Sequence, residues 1–425
     1  MITKDNFINY FRSGIKETND CGIGIEHEKF VFLENKRADY QSILNLFEKL
    51  YEFGWKPVKE GINIIALKKG NKNITLEPGN QIELSGEKLK SIHQTCGESQ
   101  EYIFELNQSL KKLNLNLISS GFDPISKIEE VPSNPKNRYE LMTKIMPLFG
   151  KLSLDMMYRT CGTQVNIDYT SEKDFSKKFF VVNRLVPITI ALFANSGIVE
   201  KNKSGYLSYR SYAWQNTYRG GLPKIFLENM DFEKYADFSL NYPMLFLKRN
   251  DKYIDAKNKT FQNFIDGDIE KASPNEEDVA DHLSTIFTEN RLKKYIEIRS
   301  MDACGWDCLC AGPAFFIGLL YGNLDEVFDV VKRWNLDEII SAYKDSPKKG
   351  LKTILGKKSI LDWSKDLFEI SKQGLVNRNE LNSKKQNEVK FLDHIKTIID
   401  TNSTNAEAIM AQYQKDKNFF NINEK

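Results

Sequence analysis

Residues 22–32 read GIGIEHEKFVF. Two glutamates, Glu26 and Glu28, stand one residue apart among apolar neighbours, with His27 between them. In a β-strand alternate residues turn to opposite faces, so Glu26 and Glu28 point the same way, about 7 Å apart. Two like charges that close are costly in an apolar setting unless something positive lies between them or water covers them. His27 falls on the opposite face, where a packing role is expected. The GxG of this stretch lacks the following glycine and the lysine of the known phosphate fingerprints, so it does not read as a phosphate loop.

Three more stretches share this design: NITLEPGNQIELSG (73–86), RTCGTQVNIDY (159–169) and LKKYIEIRSMD (292–302). Gln164, Asn166 and Asp168 fall on one face of the second, with Val165 and Ile167 on the other. Tyr295, Glu297 and Arg299 share a face of the third, opposite Ile296 and Ile298. In the first, Pro78-Gly79-Asn80 is a turn signal, and the hairpin it makes brings Glu77 near Glu83. Each face alone reads as the solvated side of a half-buried strand. Together they differ from that, because they carry acids, amides and an arginine but almost no lysine in a lysine-rich chain.

Between these strands lie helical patterns. Residues 38–53 and 98–113 each carry an apolar stripe. Residues 171–196 open on Ser171 as a cap and contain Pro187, which predicts one kinked helix or two. In SPNEEDVADHLSTIF, Ser273 is the expected N-cap, with Pro274 in the first turn and Glu276 three residues on. The apolar run 308–322 is shorter than a bilayer span and broken by Pro313, so a buried element is expected rather than a membrane segment. Interleaved helices and at least one tight hairpin predict an α+β fold on a mainly antiparallel sheet. One catalytic domain is expected, with a core over about 20–322 and a charged helical outer layer over about 325–425.

The 425 residues carry a formal net charge of +2, which argues against a strongly basic nucleic-acid binder. The six cysteines are thinly spread and the first residues lack a long apolar core, so reduced thiols in a cytoplasmic compartment are expected. CGWDCLC (304–310) is not a usual zinc spacing, and packing thiols are expected there. Carboxylates gathered on one sheet face, without a histidine or cysteine cluster, suit a hard cation such as Mg²⁺, with Mn²⁺ as the alternative. Magnesium usually works beside phosphates, which points to ATP.

GIGIEHEKF, LEPGNQIELSG, DMMYRTCGTQVNID, ALFANSGIVEKNKSGYLSYRSYAW, YPMLFLKRNDKYIDAKNKTFQNFIDG and RLKKYIEIRSMD occur in that order between about residues 20 and 322. Together they resemble the glutamate–cysteine ligases of the plant and proteobacterial type. The resemblance implies a fold related to glutamine synthetase, in which a curved antiparallel sheet forms a funnel with helices outside. It also implies ATP and Mg²⁺, and it names glutamate and cysteine as substrates and γ-glutamylcysteine, the precursor of glutathione, as product. By motif, Glu26, Glu28, Glu83 and Glu297 correspond to metal-binding acids, with Glu77 a further ligand. Arg299 corresponds to a phosphate-facing catalytic arginine. Arg210 and Arg159 correspond to substrate-facing arginines, Gln164 and Asn166 to pocket linings, and Tyr209, Tyr212 and Trp214 to aromatic surface near the substrate. The chain departs from relatives at Tyr212, where many carry histidine, and at Asp307 and Cys308, where basic residues are commoner. No disulfide switch is expected of these cysteines.

The chemistry so implied is phosphoryl transfer from ATP to the glutamate side chain, then attack by the cysteine amine on the acyl phosphate. Residues 197–222 are the expected lid over it. No residue stands out as a general base, and nothing sets an oligomeric state. Two alternatives stay open: a ligase of this fold with another amine acceptor, and a relative that binds metal and nucleotide without turnover.

Overall fold

A computed structural model describes residues 2–250, 252–269, 272–417 and 419–421. Its centre is a ten-stranded antiparallel sheet. From one edge to the other its strands run Asn290–Leu292, Ile296–Asp302, Gly162–Ile167, Ile23–Leu33, Ile82–Ser85, Lys72–Leu76, Asn63–Lys69 and Lys56–Glu60. Lys36–Arg37 and Leu115–Ile118 pair with the far end of the Ile23–Leu33 strand. The sheet stays open, and the expected antiparallel α+β architecture is what forms.

The apolar face of each strand explains its position. Ile23, Val165, Ile167, Ile296 and Ile298 are buried against helices of 172–192 and 306–317. Ile74, Leu76, Ile82 and Leu84 are buried against the helices Tyr40–Leu50 and Ile92–Leu113. Since side chains alternate along a strand, burying these residues fixes the acids and amides on the other face. His27 lies with the packing set, its Nε2 3.2 Å from Ser99 Oγ. Burial, with Lys29 nearby, lowers its pKa to about 3.

The turn at Pro78-Gly79 closes as expected. Leu76 pairs with Ile82, Asn80 donates to the Glu77 carbonyl, and Asn80 takes a positive φ of 60°. The segment 171–196 forms two helices, Glu172–Arg184 capped by Ser171 and Val186–Leu192 with Pro187 in its first turn. One boundary differs from expectation. The helix Glu276–Ser284 is capped by Asn275, not Ser273, because the Asn275 side chain accepts the Asp278 N–H and Asp278 reaches back to the cap. Of the run 308–322, residues 308–320 are buried, and no single helix among the described residues is long and apolar enough to cross a membrane.

Four cysteines are not the reduced thiols expected. Cys96 is bonded to Cys310, and Cys304 to Cys308, while Cys21 and Cys161 are free. The sequence hid the first pair because its members lie 214 residues apart. They meet where the Ile92–Leu113 helix crosses the start of the Ala311–Ile317 helix. Beyond residue 325 the helices Leu336–Lys349 and Ile360–Arg378 pack directly on the core. Gly318 and Gly374 let the second approach so closely that a Cβ at either would collide with backbone of its neighbour.

Candidate active site

The polar sheet face floors a cavity of about 500 Å³. Glu26, Glu28, Glu77, Glu83, Gln164, Asn166, Glu297 and Arg299 all line it, so four separate sequence stretches deliver their polar faces to one hollow. Strand register makes the arrangement. Glu28 lies opposite Glu83, Glu26 lies between Ser85 and Gln164, and Asn166 lies between Gly24 and Glu297. Gly24 leaves room above the sheet for Asn166, whose Nδ2 donates to Glu26 Oε1 at 2.7 Å.

One end of the hollow is acidic. Glu28 accepts the Gly162 N–H at 2.6 Å, and Glu83 accepts from Thr75 Oγ1 at 2.8 Å. Burial, reinforced by Glu77, pushes the Glu28 carboxyl up to about 7, against the pull of Arg210, the Gly162 N–H and Arg299. Burial also drives Glu83 well up, with Glu77, Glu26 and Glu28 adding to it. No three acids, cysteines or histidines among the described residues form a ready-made metal cage. The four carboxylates nevertheless share one space and repel one another, an all-oxygen donor set whose repulsion a hard cation would relieve. The residues fit Mg²⁺ in that sense.

The other end is basic. Glu297 is 1% exposed, and its carboxylate takes Arg291 Nε at 2.5 Å and Lys293 Nζ at 2.6 Å, with Arg299 Nη1 at 3.6 Å. Burial alone would raise its pKa, but Arg291, Lys293 and Arg299 together hold it far below the usual carboxylate range. Glu297 thus differs from the other predicted metal acids, since protein cations already balance it.

Arg299 sits in a β-bulge. Ile298 pairs with Val165 and Met301 with Thr163, so three steps on one strand match two on the other. A bulge re-aims the side chain it carries. Arg299 Nη1 donates to Gln164 Oε1 at 2.5 Å, and its guanidinium lies 5.5 Å from the Trp214 ring. Arg210 lies 5.2 Å from the same ring and donates through Nη2 to the Arg299 carbonyl at 2.8 Å. Nε and Nη1 of Arg210, Nε of Arg299 and the Trp214 indole N–H are buried without a hydrogen-bond partner. Buried donors left unpaired are costly, and an anionic ligand would satisfy them. A narrower cavity of about 100 Å³ opens beside them, walled by Met142, Met156, Met157, Phe246 and Phe287.

Three predicted residues lie elsewhere. Arg159 pairs with Asp155 at 2.9 Å and Glu200 at 3.1 Å and stacks on Phe122. Tyr209 packs on Phe122 and Tyr212 on Tyr206. None of the three lines either cavity. The reason is helical geometry: neighbours on a helix point about 100° apart, so turning Arg210 and Trp214 to the site turns Tyr209 and Tyr212 away. In the same way, Met156 and Met157 face the site while Arg159 does not. The segment 197–222, the expected lid, is tied to the body, since Leu207 and Ser208 both donate to the Pro347 carbonyl.

Sequence reasoning missed Arg291, Lys293 and Arg138. Arg291 is the strand partner of Glu297, and asking what balances that acid across its hairpin would have found it. Arg138, in the helix Asn137–Ile145, lines both cavities, and no local pattern marks it.

The model of glutamate–cysteine ligase family 2 matches residues 22–421. The chloroplastic glutamate–cysteine ligase of Solanum lycopersicum is 38% identical over 423 residues, covering 97% of this chain and 80% of that protein. The Medicago truncatula chloroplastic enzyme is 39% identical, covering 97% and 82%. Among solved structures, the Francisella tularensis glutamate–cysteine ligase in complex with AMP superposes with a TM-score of 0.56 at 14% identity, covering 96% of this chain and 88% of that one. Because relatives of nearly full length are chloroplastic, the expectation of a cytoplasmic compartment is overturned. Thin cysteine usage does not separate those two compartments.

Proposed function

The chain belongs to glutamate–cysteine ligase family 2 and is an enzyme that makes γ-glutamylcysteine for glutathione; we propose that it does so with ATP and Mg²⁺ in the cavity on the polar sheet face. One observation carries the assignment of the site: four acids from two separate stretches meet a buried cationic end in a single hollow.

Glu26, Glu28, Glu77 and Glu83 hold the metal, and Glu297 takes part from the basic side. Bound there, Mg²⁺ would offset the repulsion between a polyphosphate and the glutamate carboxylate. Arg299 lays a fixed positive charge where the transferring phosphoryl group spreads its negative charge. Gln164 keeps Arg299 aimed through its hydrogen bond. Arg210 offers its unpaired Nε and Nη1 to an amino-acid carboxylate, and Trp214 walls both guanidiniums from water. The methionine-walled recess suits a small apolar or sulfur-bearing side chain. Excluding water matters because the acyl phosphate formed on glutamate would otherwise hydrolyse.

Phosphate release from ATP, measured with glutamate and a panel of amines and repeated in EDTA, tests this reading. Release that requires glutamate, is fastest with cysteine and stops in EDTA supports it. Release best supported by another amine assigns a different acceptor, and release unaffected by EDTA removes the metal.

A further inference from the structure

The helix Leu336–Lys349 was expected to belong to an outer layer, yet it touches the supports of both active-site arginines. We propose that Tyr343 and Glu289 are positioning residues, a buried hydroxyl–carboxylate pair through which this helix holds Arg299 and Arg210 in their working geometry. The inference rests on the roles given to those two arginines above.

An extra residue in a strand leaves backbone groups outside the ladder, and these need other partners. The Arg299 N–H donates to the Glu289 carbonyl at 3.0 Å, and the Arg299 carbonyl accepts from Arg210 at 2.8 Å. Both backbone groups of Arg299 are therefore held by Glu289 and Arg210. Glu289 itself lies between two short strands, Phe287–Thr288 and Asn290–Leu292, and its N–H donates to the Gly221 carbonyl. Glu289 is 1% exposed and does not line the cavity, and its carboxylate accepts the Tyr343 hydroxyl at 2.8 Å. A buried carboxylate needs a partner and a counter-charge. Tyr343 is the partner, and Arg210, with Arg299 beyond it, is the counter-charge acting on Glu289.

The same helix supports Arg210 a second way. The Pro347 carbonyl, in its last turn, accepts the N–H groups of Leu207 and Ser208. Ser208 caps the helix Tyr209–Gln215 that carries Arg210 and Trp214. Gln215 of that helix donates to the Tyr343 carbonyl at 2.7 Å. Tyr343 is therefore joined to the bulge by its side chain and to the Arg210 helix by its backbone.

Full-length Tyr343→Phe, Glu289→Gln and the double variant test the inference. Each single variant is expected to lose about ten-fold or more in kcat, since a small misplacement of a charged group is costly. Because the residues act as one pair, the double variant should fall no more than about two-fold below the worse single variant. Ile339→Val thins the core beneath the same helix and controls for mere loosening: its thermal midpoint should drop while kcat stays within about two-fold of wild type. Tyr343→Phe with kcat within about two-fold of wild type, or single losses that multiply in the double variant, would overturn the proposal. Should Tyr343→Phe not fold, Glu289→Gln, which keeps an acceptor for the hydroxyl, decides on the same kcat criterion. If the wild-type chain ligates no amine, the ligase reading fails by itself. Calorimetric titration with Mg-ATP and with glutamate then decides the positioning role, with weakening of about five-fold or more in the variants for it and unchanged affinity against it.

Discussion

Glu28 and Glu83 are cross-strand partners facing the same hollow, Glu83 buried and Glu28 half-buried. Burial, with repulsion from Glu77, raises the Glu28 carboxyl from its ordinary value near 4.5 to about 7, and burial, with Glu77, Glu26 and Glu28, moves Glu83 the same way. An acid with a higher pKa folded than unfolded holds its proton more tightly in the native state. Its contribution to stability is thus complete below about pH 4.5 and is lost as the pH rises through about 7. The metal-free protein should lose on the order of 2–3 kcal/mol over that window from Glu28 alone. Urea titrations at stepped pH should show this slope, and Glu28→Gln should flatten it. An equal slope in the variant would remove Glu28 as its source.

Mg²⁺ should reverse that loss at pH 8. A ligand that binds only the native state stabilises it by RT ln(1 + [L]/Kd), about 2.7 kcal/mol at a hundred times Kd. The thermal midpoint of the ATP-free protein should climb with Mg²⁺ concentration, and Glu28→Gln or Glu83→Gln should blunt the climb. A midpoint indifferent to Mg²⁺ would leave the four acids without the proposed occupant.

Glu28→Gln should also lower kcat roughly 10²–10³-fold at saturating Mg²⁺, the scale of losing one transition-state charge contact. Its thermal midpoint without metal should hold or rise above pH 7, since one of two repelling carboxylates is gone. Turnover equal to wild type would place the metal elsewhere.

Much of this site was legible because strand alternation is a strong constraint. Once Ile23, Val165 and Ile296 needed burial, Glu26, Gln164 and Glu297 had to share the other face. Which helical residues face the hollow was harder to read. Arg159, Tyr209 and Tyr212 belong to the right motifs, but a helix spreads its neighbours around an axis, and only packing decides which side faces in. Arg138 and Glu289 were illegible for a different reason, since their partners come from distant segments. The same holds for Cys96 and Cys310, whose pairing depends on how two helices cross.

Cys96–Cys310 makes a separate prediction about stability. Its members lie 214 residues apart, and a chain-entropy estimate for a loop that long is about 5 kcal/mol, an upper figure. Cys96→Ser should lower the thermal midpoint by several degrees, and reductant should bring wild type down towards it. Neither cysteine lines the cavity, so kcat below the midpoint should stay within about three-fold of wild type. An unchanged midpoint in the variant would show that the bond adds nothing to the native state.

Arg299→Lys separates charge from shape. A lysine keeps the positive charge but loses the planar fork and the stacking on Trp214. It also loses the geometry by which one side chain reaches both Gln164 and Glu297. If Arg299 serves the transferring phosphoryl group, kcat should fall about 10²-fold while KM for cysteine changes little. Arg210→Lys should show the converse, with a raised KM for an amino acid and a smaller change in kcat, because a carboxylate is bound alike in ground and transition states. Steady-state kinetics with each substrate varied in turn separates the two patterns. Exchange of the patterns between the variants would reverse the roles given to the two arginines, and identical patterns would mean that the shared hydrogen bond between them, rather than separate substrate contacts, sets their effect.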